Sequence, residues 1–193
     1  MIFSRVLSLI SFFTLFASFS LVASNPVTLP GAGVAIKRQS TDVDSALDSL
    51  QGQLNTILPQ LDAISDDDNA SEDDITTTVN QLTAAIDSTS ASLGGASLAD
   101  LSKRQTNQAT AQRVATIVSD VATSSNKLKS KHGHKFPVIA VLLVTLDVAL
   151  HKLLITVELL VAGVLKLVAG LLIDVAILLK GLAFGLTLAA LGI

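Results

Sequence analysis

The stretch "VLLVTLDVALHKLLITVELLVAGVLKLVAGLLIDVAILLK", residues 141–180, decides what kind of molecule this 193-residue chain can be. It lies in a C-terminal segment, 136–193, in which 42 of 58 residues are apolar. A membrane-spanning helix wants about 20 residues with few or no charges. Here Asp147, Lys152, Glu158, Lys166, Asp174 and Lys180 interrupt the run every five to eight residues. The window 153–173 sets fourteen Leu, Ile or Val against two charges. On an insertion scale, roughly −4 to −8 kcal/mol from the apolar residues meets about +5 to +7 kcal/mol from the charges. The balance lies near zero, so composition alone does not commit the segment to a bilayer. It does commit it to leaving water. About twenty apolar side chains at ~1.5–2 kcal/mol each gain on the order of 30–40 kcal/mol before ordering costs. Adsorption or self-assembly through such a segment is the main functional expectation.

The six charges follow an order. Read outward from Gly163 they are Glu158/Lys166, Lys152/Asp174 and Asp147/Lys180, opposite in sign each time and nearly symmetric in spacing. Antiparallel pairing brings each pair together, either in a helical hairpin turning near Gly163 or in two copies meeting about a two-fold axis. A lipid-anchor signal is not supported, since that needs a polar spacer before a charge-free tail.

Upstream, the pattern becomes helical and polar. Val43, Leu47, Leu50, Leu54, Leu58 and Leu61 recur at steps of three and four, with Thr41-x-x-Asp44 as a capping box and Pro59 expected to kink or shorten the helix. Ile75, Val79, Leu82 and Ile86 repeat the habit behind Ser71-x-x-Asp74. Val114, Ile117, Val121 and Leu128 make a third stripe, and "LGGAS" at 93–97 is a break between the second and third. The stripes are narrow and rich in Ser, Thr, Ala and Gln, so these helices need one another to be stable. The expected fold is all-α: a small amphipathic helical bundle followed by a long, very apolar helix or helical hairpin.

Charge divides the chain as hydropathy does. Residues 39–100 carry twelve Asp or Glu and no Lys or Arg; residues 101–135 carry seven basic residues against Asp120. The acids cluster in "DDDNASEDD", 66–74, and the bases in "NKLKSKHGHK", 126–135. Clustered carboxylates suggest calcium, but the loop lacks the glycine and glutamate spacing of a calcium-binding EF-hand loop and reads as a solvated acidic loop. Asn69-Ala70-Ser71 is a glycosylation sequon. His132-x-His134 has no third ligand nearby in sequence, so no metal or other cofactor is expected.

The first residues read as an address. Arg5 precedes an apolar run, 6–22, and "VAS" at 22–24 suits signal-peptide cleavage after Ser24. Residues 25–38, with two Pro and two Gly, read as a disordered pro-segment ending at the dibasic pair Lys37-Arg38. Lys103-Arg104 repeats that motif, "SKRQT" against "IKRQS", in a context that a helical first turn could shelter. The expected layout is therefore a signal peptide 1–24, a propeptide 25–38, acidic amphipathic helices 39–104, a third helix with the basic junction 105–135, and the hydrophobic tail 136–193.

Composition excludes much. There is no Cys, Trp or Tyr, which removes disulfide frameworks, thiolate sites and most aromatic platforms. The three His residues are 132, 134 and 151, and no nucleophile–base arrangement or phosphate loop accompanies them. An enzyme is not expected, no catalytic residue is assigned, and a secreted chain with an acidic half is a poor nucleic-acid binder.

The signal, the Lys-Arg pro-site, the polar opening "STDVDSALDSLQGQLNTILPQLDAI" (40–64) and the Cys-free Leu/Val/Ala tail resemble a class of secreted cell-wall proteins of basidiomycete fungi, of the split-gill mushroom type. The resemblance covers the whole chain and rests on layout and composition. It implies a structural role in aerial growth and attachment to hydrophobic surfaces, beside hydrophobins, which differ in depending on eight cysteines. The helical front half also resembles, more faintly, fungal hydrophobic-surface-binding proteins. The expected partners are further copies of the chain, hydrophobic surfaces and cell-wall components, in an extracellular or wall location. Two alternatives stand beside this reading. One is a membrane-anchored surface protein with one or two spanning helices in the tail. The other is a precursor cut into separate peptides.

Overall fold

Leucines, isoleucines and valines at steps of three and four wind the front of the chain into three long helices. These are α1 (Val43–Asp66), α2 (Glu72–Gly94) and α3 (Asn107–His132). The apolar half follows as α4 (Val138–Leu160), α5 (Val164–Leu171), α6 (Ala176–Leu182) and α7 (Gly185–Leu191). The computed structural model describes residues 43–95 and 107–193, all within one compact unit, Arg38–Ile193. Among the described residues the fold is all-helical, with no strand.

Local chemistry accounts for several boundaries. At the start of α2 the Ser71 hydroxyl accepts from the Asp74 N–H (3.1 Å) and donates to the Asp74 carboxylate (2.6 Å). Glu72, Asp73 and Asp74 then place negative charge at the positive end of the helix. The corresponding Thr41 signal lies outside the described residues. Pro59 does not shorten α1, which runs on to Asp66. The proline is exposed and removes one backbone bond, while the next turns are held from α3: Lys127 pairs with Asp66 (2.8 Å) and His132 Nε2 meets the Ser65 carbonyl (3.2 Å).

The apolar half is not one long helix. Gly163, at φ 86°, breaks it between α4 and α5 in a left-handed conformation that favours glycine. Ala183, at φ 65°, breaks it again before α7. Nor is it a hairpin closed on itself, because α5 packs far more extensively on α3 than on α4. The helices form a closed circuit: α1 touches α2 and α3, α2 touches α4, α4 touches α7, and α5, α6 and α7 complete the way back to α3. The contact between α2 and α4 is the most extensive of all. One apolar cluster runs through the circuit, from Leu47, Leu50 and Leu54 on α1 to Phe184 and Leu188 beside and on α7. The front bundle and the apolar segment thus share a core.

Candidate functional site

A narrow apolar stripe on each front helix leaves nothing greasy outside. Among the described residues, α1, α2 and α3 carry no large hydrophobic side chain that is strongly exposed. The apolar half has more hydrophobic surface than its neighbours can cover. Ile177 is 78% exposed, Leu159 74%, Ile173 66% and Val141 65%, and Val144, Leu171, Leu167 and Leu186 are also exposed. Their helices are contiguous, since α7 touches α4, α5 and α6. Among the described residues, the strongly exposed large hydrophobics therefore all belong to 141–193, and none to α1–α3. Scattered exposed leucines are ordinary; a concentration confined to one half of a chain makes that half the candidate interaction surface.

The front helices are tied by charge. Arg113 on α3 pairs with Asp48 on α1 and donates to the Asp44 carbonyl (3.2 Å), while the Thr110 hydroxyl donates to the Asp44 carboxylate (3.2 Å). At the other end of the same pair of helices, Lys127 holds Asp66, and Lys135 donates to the Asp68 carbonyl (3.0 Å). The basic junction and the acidic loop thus cap each other. The hydrogen bond to Lys127 holds the Asp66 carboxyl below its usual range and raises the Lys127 ammonium. In the groove between α1 and α3, a cavity of about 320 Å³ is lined by Leu54, Leu58, Pro59, Asp62 and Asp120. There, lost hydration pushes the Asp120 carboxyl up.

The three charge pairs expected about Gly163 are not formed within the chain, because α5 leaves α4 instead of returning along it. Lys152 pairs with Asp87 on α2 (3.2 Å), not with Asp174. Asp147, buried in the middle of α4, accepts from the backbone N–H groups of Leu186 (3.0 Å) and Thr187 (2.9 Å), not from Lys180. Glu158 accepts from the N–H groups of Gly163 (2.8 Å) and Leu165 (2.9 Å), not from Lys166. Both acids therefore serve as caps for backbone that the breaks in the apolar half leave unpaired. Lys166, Asp174 and Lys180 remain exposed on α5, α6 and the turn between them.

The other sequence signals fall as follows. Asn69 is exposed at the tip of the α1–α2 loop, its N–H donating to Asp67 Oδ1 (2.9 Å). Three of the acids in 66–74 accept from the chain's own donors: Asp66 from Lys127, Asp67 from the Asn69 N–H and Asp74 from Ser71. The His132 ring is buried while His134 is exposed, so the two rings do not share a site; among the described residues no group of three candidate ligands gathers. Ser24, Lys37, Arg38, Lys103 and Arg104 lie outside the described residues. Sequence reasoning missed the Arg113, Lys127 and Lys135 ties, for which the acidic-then-basic gradient was the available signal. It also missed the capping roles of Asp147 and Glu158, for which nothing local gave a signal. No protein-family model matches the chain, and no curated protein matches it significantly.

Proposed function

We propose that the chain is a secreted structural amphiphile of a fungal cell wall or surface, adsorbing or self-assembling through its apolar C-terminal half in aerial growth and surface attachment. The observation that carries this reading is the confinement of strongly exposed large hydrophobics to 141–193, beside a charged, well-tied front of α1–α3. Such a molecule offers one side to water and the other to an oily or gaseous phase, where each apolar side chain leaving water adds about 1.5–3 kcal/mol at most. Its partners are further copies of itself, hydrophobic surfaces and wall components, and its place is extracellular. It has no catalytic role and no cofactor in this reading.

A membrane-anchored surface protein is the second reading. It draws on α4, which is long and apolar enough to cross a membrane, although half of its most apolar window is buried inside the fold. Fractionation of the native source, with intact-mass and terminal-peptide spectrometry, separates the two. The amphiphile is expected in culture medium or in the wall after detergent-free extraction, beginning at Gln39 and ending at Ile193. Recovery only in a carbonate-resistant membrane pellet would overturn it in favour of the anchor.

A further inference from the structure

The polar ties of the molecule are unevenly placed. Those joining α1 and its loop to neighbouring elements run to α3 or the segment just after it: Asp44, Asp48, Ser65, Asp66 and Asp68 against Thr110, Arg113, Lys127, His132 and Lys135. Among the described residues, those of the apolar half stay within it but for two. Asp147 holds the N-terminus of α7, the His151 Nδ1 faces the Leu186 carbonyl (3.1 Å), and Glu158 caps α5.

Between these two groups of helices runs a seam, α2 against α4 and α3 against α5 and α6. Among the described residues only two polar contacts cross it beyond the connecting turn. They are the exposed pair Lys152–Asp87 and the Lys129 ammonium donating to the Gly181 carbonyl (2.6 Å). On α2, the buried hydroxyls of Thr83, Thr89 and Ser90 turn back onto carbonyls four residues earlier in their own helix, so they reach nothing on α4. Beside these hydroxyls, α2 buries Ile75, Val79, Leu82, Ile86 and Leu93.

We propose that the molecule opens along this seam at a hydrophobic–water interface. The helices α4–α7 move as one unit onto the oily phase and α1–α3 remain folded in water. The inference rests on the amphiphile reading and adds its mechanism. An apolar contact without directional bonds is equally well made by an oil or air surface, whereas buried polar ties lost to such a surface have no replacement. Breakage is therefore confined to the seam. The chain also permits the motion, since α4–α7 are contiguous in sequence and join α3 through the single short link 133–137. That link is anchored on the front side by Lys135 and His132. Opening uncovers the buried apolar face that α4 turns to α2 and adds it to Val141, Val144, Ile155 and Leu159, which are exposed already.

Because the chain has no cysteine, introduced pairs can be linked selectively. The test uses the full mature chain with Asp87→Cys and Lys152→Cys, joined by a short bismaleimide or capped singly with a monofunctional maleimide. Adsorption to an alkane–water interface is followed by drop tensiometry, after circular dichroism shows native helix content in both forms. The linked form is expected to build its film about tenfold more slowly than the capped form, as a locked fold loses its binding-competent state. A second pair, Asp66→Cys and Lys127→Cys, linked across α1 and α3, is expected to adsorb like its capped control. Equal rates for the linked and capped seam variants overturn the opening while leaving the amphiphile reading intact. Slowing by the α1–α3 link overturns the division into two units. Failure of every form to adsorb sinks the amphiphile reading itself, and the opening with it.

Discussion

Burying Asp147 within an apolar helix strips a carboxylate of water, and it is tolerated because two backbone N–H groups of α7 replace that hydration. Asp147→Ala leaves both donors without a partner and is expected to cost about 1–3 kcal/mol in urea unfolding. The loss should be local, with faster amide exchange at Leu186 and Thr187. The Thr187 hydroxyl is the converse case: it is buried without a hydrogen-bond partner. Thr187→Val keeps the shape, removes the unpaired group and is expected to stabilise the chain by roughly 1 kcal/mol, read from the same unfolding curves. Among the described residues, two carboxyls shape the pH response in acid and at neutrality. Asp66 is depressed by Lys127, so its pairing stabilises the fold above the unfolded carboxyl pKa and is lost as pH falls through the folded value. Asp120 is raised by lost hydration, so the folded chain holds its proton more tightly than the unfolded chain does. Its carboxylate therefore opposes folding at neutral pH and not in acid. Asp120→Asn is expected to raise the urea midpoint at neutral pH, with the two curves converging once both forms are protonated.

At the scale of the helix, the cap of α2 and the corner before α4 are the sensitive points. Ser71→Ala removes the only side-chain cap seen on α2 and is expected to cost about 1 kcal/mol. Gly133 ends α3, and a Cβ there would collide with the Lys129 carbonyl, so Gly133→Ala is expected to lower thermal stability by displacing the corner that leads into the apolar half. The front helices were legible in sequence because each wears its stripe openly: Leu47, Leu50, Leu54 and Leu61 are all buried on α1, and Ile75, Val79, Leu82 and Ile86 on α2. Pro59 fails to shorten α1 for a tertiary reason, since the turn beyond it is held by Lys127 and His132 from 60 and more residues away. The apolar half was illegible in detail because nearly every position is apolar, so periodicity cannot say which face meets α2 and which meets α3. Only its glycine at 163 announced a break.

At the scale of the molecule, the six tail charges show how a symmetric sequence pattern can be satisfied by other partners. Asp147 and Glu158 cap backbone and Lys152 reaches Asp87, because the chain wraps around α3 instead of folding back on α4. The richness of the tail in apolar residues was plain from composition, but their placement was not: half of the most apolar window of α4 is buried inside the fold and the rest is outside. In the amphiphile proposed above, that division lets the chain exist in water and still spread on a surface, with α1–α3 as both water-facing side and cover. The most direct measurement is drop tensiometry at an oil–water interface, comparing the mature chain with a variant carrying Leu159→Ser, Ile173→Ser and Ile177→Ser. These side chains are mostly in water already, so the fold should survive. The account predicts rapid lowering of interfacial tension by the native chain and adsorption about tenfold slower in the variant, since the apolar side makes first contact. Indistinguishable adsorption by the two would contradict it.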